Sequence, residues 1–203
     1  MRVVFEAQPK SDSFTVFYVV LTLGFYLLLA FSWELDRAFN LFILLVPILL
    51  IPGLLLAVTL LVGLTLNLFR RRWRRVLSVL MAPFAAAVPL FLCQHLGLTP
   101  TWLRFTLNRS HYDAEIARMV RQADAPRLKA FDWGETGGAG STNQFLTLVF
   151  DEAGEIILSA DQRSKRWLEQ ARQDWRLQGI HRDGAKVNIQ HLGGHFYAVT
   201  QTD

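Results

Sequence analysis

Two short stretches in the second half of the chain hold the residue types that could carry chemistry. The first, FDWGETGGAGST over residues 131–142, combines two carboxylates with four glycines. Successive glycine amides can form a nest that binds an anion, but the lysine and the spacing of a phosphate-binding loop are missing. A tight structural connection is therefore the favoured interpretation. The weak binding candidates in this stretch are Asp132, Trp133, Glu135, Thr136 and Gly138.

The second stretch is HLGGH, in which His191 and His195 are four residues apart. The paired glycines between them argue against the helix that would bring both imidazoles to one metal ion. We therefore predict no metal site and no cofactor, and keep both histidines as weak binding candidates. A hydrolytic group could be assembled from the acids with Ser141 and His181 only by assuming an unseen contact, so no catalytic residue is assigned.

Hydrophobic periodicity predicts two helices in the part of the chain that carries these stretches. The first begins at Asn108 or Ser110 and has an apolar stripe of Tyr112, Ile116, Met119 and Val120. The second follows a cap at Asp161, and its stripe consists of Trp167, Ala171 and Trp175. The tryptophans are expected to be buried against a sheet.

Alternating or wholly apolar runs predict the strands of that sheet. They are expected over residues 127–133, 144–150, 155–159, 186–190 and 195–201. The run QFLTLVF is apolar on both faces and so indicates a central strand. We predict a small α+β domain over residues 99–203, with an antiparallel sheet and both helices on one face.

The first half of the chain is a membrane region. Three apolar stretches, at about residues 14–33, 40–69 and 76–98, are each long enough for a helix that crosses a bilayer. They divide the chain into a tail (1–12), a three-helix transmembrane region (13–98) and the domain (99–203). No charged residue lies inside a span, which disfavours a transporter or a channel.

Two spans have features of their own. Pro47 and Pro52 in the second span predict a kink or a tilted start. Alanines at 82 and 85–87 in the third span predict a face that packs against a neighbouring helix, with a homo-oligomer contact as the alternative.

The run between the second and third spans sets the expected orientation. Its arginines are Arg70, Arg71, Arg72, Arg74 and Arg75. By the positive-inside rule they stay in the cytoplasm, which places the N-terminus inside and the domain across the membrane. A cleaved signal ending near Ala30 is the alternative for the first stretch, but its length and bulky aromatics favour an uncleaved span.

Composition agrees with this division. Residues 1–98 hold 8 Lys/Arg against 4 Asp/Glu, whereas residues 99–203 hold 13 of each, so the net charge of +4 belongs to the membrane half. The basic pI is thus explained by topology, and nucleic-acid binding is not expected. The single Cys93 excludes an intrachain disulfide.

Four segments together resemble a group of uncharacterised bacterial inner-membrane proteins with an outward-facing domain. They are FDWG, GGAGST, TLVFDEAGEI and GGHFYAVT, within residues 131–156 and 193–200. This chain departs from the group in Glu135-Thr136 before the glycines and in Ala153-Gly154. The resemblance implies a bacterial inner membrane and a periplasmic domain, and it carries over no catalytic residue.

The expected function is therefore non-catalytic. The periplasmic domain would bind a protein or envelope partner, in an immunity or envelope-accessory role. A membrane-tethered hydrolase is the alternative.

Overall fold

Three long apolar helices begin the chain. The computed structural model describes residues 12–120, 126–137, 143–181 and 186–202. Helices α1 (Phe17–Phe39), α2 (Phe42–Phe69) and α3 (Trp73–His95) are each long and apolar enough to cross a membrane. The chain divides into two compact units, Met1–Ala30 with Val46–Leu96, and Phe31–Leu45 with Gly97–Asp203.

Small residues allow close helix contacts in the first unit. A Cβ at Gly63 would lie 2.6 Å from the phenol oxygen of Tyr18, so α1 and α2 meet there only because the position is glycine. On α3, Ala82 and Ala86 are fully buried, in agreement with the predicted packing face, whereas Ala85 and Ala87 are exposed. Helix α2 continues through both of its prolines.

The second unit contains the predicted α+β domain. Its helices are α4 (Pro100–Ala117) and α5 (Lys165–Gln173), and its strands are β1 (Leu128–Thr136), β2 (Gln144–Asp151), β3 (Lys186–Gly193) and β4 (Phe196–Thr202). The four strands form an antiparallel sheet in the order β1-β2-β4-β3. Strands β1 and β3 are therefore its edges.

The two helices cover opposite faces of the sheet, so the prediction that both lie on one face was wrong. Phe105, Tyr112 and Ile116 of α4 pack with the even-numbered residues of β2 and β4. Trp167 and Ala171 of α5 pack with the odd-numbered ones. The physical reason was visible in QFLTLVF: a strand that is apolar on both faces needs a cover on both faces.

Several element boundaries differ from the predicted ones because caps were misread. Helix α4 begins at Pro100, where the hydroxyl of Thr99 accepts a hydrogen bond from the N–H of Trp102 at 3.1 Å. Proline in the first turn of a helix after a threonine cap is a start signal, so the helix begins before the predicted start at Asn108 or Ser110. Helix α5 is likewise capped by Ser164 instead of Asp161.

The predicted strand at 155–159 is also wrong. Glu155–Ile157 forms a short 3-10 helix, and Trp175–His181 forms another after α5 ends at Gln173. Trp175 therefore leaves the helical stripe and is 64% exposed, whereas Trp167 is fully buried. Val120, expected on the α4 stripe, is exposed as well.

Candidate functional site

An open groove of about 460 Å³ lies along the β1 edge of the sheet in the second unit. Helix α4 supplies one wall, β1 supplies the floor, and Arg176 of the second 3-10 helix closes the far side. The polar residues that line the groove are Arg104, His111, Glu115, Lys129, Asp132 and Arg176. Cations thus outnumber carboxylates along the groove itself.

Salt bridges fix the cations of the groove. Lys129 Nζ lies 2.9 Å from Glu115 Oε2, and this contact holds the pKa of Glu115 below its ordinary value. Arg176 Nε lies 2.8 Å from Asp174 Oδ1, and that hydrogen bond raises the pKa of Arg176. The charged walls are therefore ordered before any partner arrives, which lowers the entropy cost of binding.

Arg104 connects the groove to the C-terminal end of α1, which belongs to the second unit. Its Nη1 donates to Glu34 Oε2 at 3.2 Å and to the Trp133 carbonyl at 3.0 Å. Glu34 Oε1 also accepts from the hydroxyl of Thr101 and from Arg37 Nη1, both at 3.1 Å. The Glu34 carboxylate thus accepts hydrogen bonds from three side chains, and its own side chain is only 13% exposed.

The FDWG motif of β1 supplies three groove-lining residues, Phe131, Asp132 and Trp133. Trp133 is 2% exposed, and its Nε1 donates to the Tyr112 phenol oxygen at 2.9 Å. Asp132 Oδ1 accepts from the N–H of Gly134 at 2.8 Å. Gly134 has φ +92°, and a Cβ there would lie 3.1 Å from the Arg37 carbonyl oxygen. The motif therefore joins β1, α4 and the end of α1.

The remaining candidates of the glycine-rich stretch differ from one another. Glu135 is exposed beyond an irregularity in the β1–β2 register, and it does not line the groove. Thr136, another of the weak binding candidates, is only 3% exposed. Gly138 and Ser141 lie outside the described residues, as does the side chain of His181.

The two candidate histidines lie away from the groove. His191 is on β3, the opposite edge strand, and its Nε2 is 2.9 Å from the Gly194 carbonyl oxygen. Three strand spacings, about 14 Å, separate that edge from β1. His195 is in the turn before β4, and its ring meets that of Phe150. The structure therefore does not join the histidines to Asp132.

The LVFDE segment has a structural role. Asp151 is fully buried, and its carboxylate accepts from the N–H of Ile156 at 2.7 Å and from Trp167 Nε1 at 3.1 Å. Burial raises the pKa of Asp151 against these hydrogen bonds. Glu152 forms a two-pronged ion pair with Arg127. The segment closes the β2 end and attaches α5 to the sheet.

Most of the charged groove residues were not predicted from the sequence. Arg104, His111 and Glu115 recur at intervals of seven and four residues, a spacing that puts them on one face of a helix starting at Pro100. That signal was hidden by the wrong helix start. Within the described ranges, no group of three or more His, Cys, Asp or Glu side chains could hold a metal ion. No family model matches the chain, and no curated protein or solved structure is similar to it.

Proposed function

We propose that this is a non-catalytic membrane protein whose C-terminal domain binds a protein or envelope partner through the groove beside β1. The groove is the observation that carries the proposal. It is open, it has walls of both charge signs, and its charged groups are held by partners in the same unit. Such a surface suits a partner segment that itself carries both signs of charge, because complementary charges orient a partner and reject wrong ones.

An exposed aromatic residue supports the same surface. Trp175 is 64% exposed and directly precedes Arg176, which lines the groove. Tryptophan and arginine are the residue types that most often dominate binding energy at protein interfaces. A large indole exposed to solvent and next in the chain to a groove residue therefore supports Trp175 as an anchor for a partner.

The proposed location is a bacterial inner membrane with the domain in the periplasm. If each of the three apolar helices crosses the membrane, the two ends of this region lie on opposite sides, and the positive-inside rule favours the cytoplasm for the arginine run. The resemblance of the FDWG and LVFDEAGEI segments to bacterial membrane-anchored proteins supports the same setting. An immunity or envelope-accessory role fits a small domain displayed there.

Site-specific photo-crosslinking tests the groove. A photoreactive amino acid at His111 should give a discrete adduct with the partner in cells that express the full chain. The Arg176→Glu substitution should reduce this adduct about tenfold, the equivalent of 1.4 kcal/mol, because it reverses one wall charge.

The matched control is the same photoreactive residue at Arg166, which is exposed on α5, the helix on the other face of the sheet. It should give no such adduct. Equal adducts at both positions, or an adduct at His111 that Arg176→Glu leaves undiminished, would count against the groove as the binding surface.

A further inference from the structure

The turn between α2 and α3 has an unusual residue at its tightest point. Arg71 N–H donates to the Leu68 carbonyl at 3.0 Å, and Arg72 N–H donates to the Asn67 carbonyl at 2.9 Å. This pair of hydrogen bonds is the Schellman arrangement, whose left-handed position is normally glycine. Here the residue is Arg71, with φ +53°. The side chain of Arg71 is thus attached at a position where the backbone conformation favours glycine.

Four of the arginines around this turn form no ion pair with a carboxylate of the described residues. Among residues 12–120, 126–137, 143–181 and 186–202, no carboxylate forms an ion pair with Arg70, Arg71, Arg72 or Arg74. Asp12 lies close, but its carboxylate accepts from the main-chain N–H groups of Arg74 and Arg75 at 3.2 and 3.4 Å. It therefore caps α3 through main-chain donors, and within the described residues the guanidiniums of Arg70, Arg71, Arg72 and Arg74 are left without a carboxylate partner.

The surroundings of the turn indicate a membrane–water interface. The turn joins two helices that are apolar enough to span a membrane, so it lies where both leave the hydrocarbon. Phe69, directly before the arginine run, is 83% exposed, and Trp73, within the run, is 64% exposed. Exposed aromatic residues at span ends are typical of the headgroup level.

We infer that the turn Arg70–Arg75 is a binding surface for anionic phospholipid headgroups. A guanidinium forms two parallel hydrogen bonds to a phosphate group, and several guanidiniums on one short turn can hold a phosphodiester from more than one side. Clusters of basic residues next to a membrane span attract anionic lipids by the same physics. The turn then adds lipid selectivity to its role in topology.

Native mass spectrometry of the purified full chain tests this inference. The detergent-solubilised protein is mixed with equal amounts of phosphatidylglycerol and phosphatidylcholine, and the retained lipids are counted. The wild-type chain should retain phosphatidylglycerol preferentially. Arg71→Gln with Arg72→Gln should weaken that retention about 25-fold, at about fivefold for each lost charge.

Two further variants separate lipid binding from folding. Arg71→Gly relieves the left-handed backbone, so it should melt no lower than wild type yet bind phosphatidylglycerol about fivefold more weakly. Arg166→Gln with Arg172→Gln removes two exposed charges from α5 and should leave lipid retention unchanged. Equal retention of both lipids by the wild type, or an unchanged preference in Arg71→Gln/Arg72→Gln, would overturn the inference.

Discussion

The indole of Trp133 donates to the phenol of Tyr112 and also lies 4.9 Å from the guanidinium carbon of Arg104. The Trp133 side chain thus makes two contacts with α4, a hydrogen bond to Tyr112 and a cation–π contact with Arg104. Asp132, next to it, uses a carboxylate oxygen on the N–H of Gly134. In the sequence these residues are candidates for a functional site, whereas in the structure their contacts join β1 to α4 and are structural.

Gly134 is the residue of this joint that should tolerate substitution least. An alanine at this position would have to adopt the positive φ of Gly134, and its Cβ would lie only 3.1 Å from the Arg37 carbonyl oxygen. We expect Gly134→Ala to lower the free energy of unfolding of the second unit by about 2 to 3 kcal/mol, since the left-handed strain alone costs about 1 to 2. Chemical denaturation in detergent, followed by tryptophan fluorescence, measures the loss.

Gly97 offers the matched control for that substitution. Its φ is +75°, but a Cβ there would meet no atom within 4 Å. Gly97→Ala should therefore show only the backbone strain. If the two variants lose the same stability, the close approach of Gly134 to Arg37 has no energetic importance.

Asp151 predicts a pH dependence of stability. Burial raises its pKa in the folded state above the ordinary 3.8, so the folded state holds this proton more tightly than the unfolded state does. The resulting stabilisation is fully present below the ordinary pKa and is lost as the pH rises through the raised one. Relative to Asp151→Asn, which cannot ionise, the wild-type chain should therefore lose stability across the mildly acidic range.

Paired denaturation curves of wild type and Asp151→Asn at several acidic pH values check this. The difference between the two free energies of unfolding removes the contributions of all other carboxylates. A difference that stays constant with pH, or that grows in favour of the wild type as the pH rises, would contradict the raised pKa.

At the scale of elements, α5 is held to the sheet mainly by one side chain. Trp167 is fully buried among Val149, Tyr197 and Val199, and its indole N–H bonds Asp151. We expect Trp167→Ala to cost about 3 to 5 kcal/mol of unfolding free energy, because it leaves a large cavity and an acceptor short of one donor. Thermal melts of the full chain in detergent should show a markedly lower midpoint.

Trp175→Ala is the natural comparison, since both tryptophans were expected on one buried stripe. At 64% exposure, Trp175 makes little contribution to the core, and its loss should change stability by no more than about 0.5 kcal/mol. The same variant should weaken partner binding if the indole is an anchor. Similar destabilisation by both substitutions would mean that Trp175 is buried in solution.

Runs and spacings of apolar residues were enough to predict the long apolar helices and the centre of the sheet. The three spans, the central strand over 144–150 and the buried Trp167 all follow from runs or spacings of apolar residues. The prediction of a strand after Gly154 was wrong because Glu155–Ile157 is too short for periodicity to distinguish a strand from a helical turn. The conformation of this segment is set by the Asp151 carboxylate, which is a contact between residues and not a pattern.

The groove could not be predicted because its residues come from distant parts of the chain. Arg104 and Arg176 are 72 positions apart, and they line one groove only because α4 and the second 3-10 helix pack on opposite faces of the sheet beside β1. In the sequence, each of these arginines on its own is typical of a solvent-exposed surface residue. Asp132 and Trp133, which were predicted as weak binding candidates because they lie in the glycine-rich stretch, do line the groove.

On the scale of the whole molecule, the two units carry different kinds of charge. The arginine turn belongs to the membrane-spanning unit and has an excess of positive charge, whereas residues 99–203 hold equal numbers of acids and bases. An uneven charge suits attraction to a lipid surface, and a balanced one suits selective pairing with a protein. The two proposed interactions therefore use separate parts of the chain and can be removed separately by mutation.

The orientation of the chain gives the last prediction. If the arginine turn is cytoplasmic, the three spans place the chain after α3 on the periplasmic side. Alkaline phosphatase, which is active only where its disulfides form, should then be active when fused after Asp203 and inactive when fused at Trp73. Green fluorescent protein at the same two positions should give the opposite pattern. Phosphatase activity at Trp73 with none after Asp203 would place the groove in the cytoplasm and would overturn the proposal of a periplasmic partner.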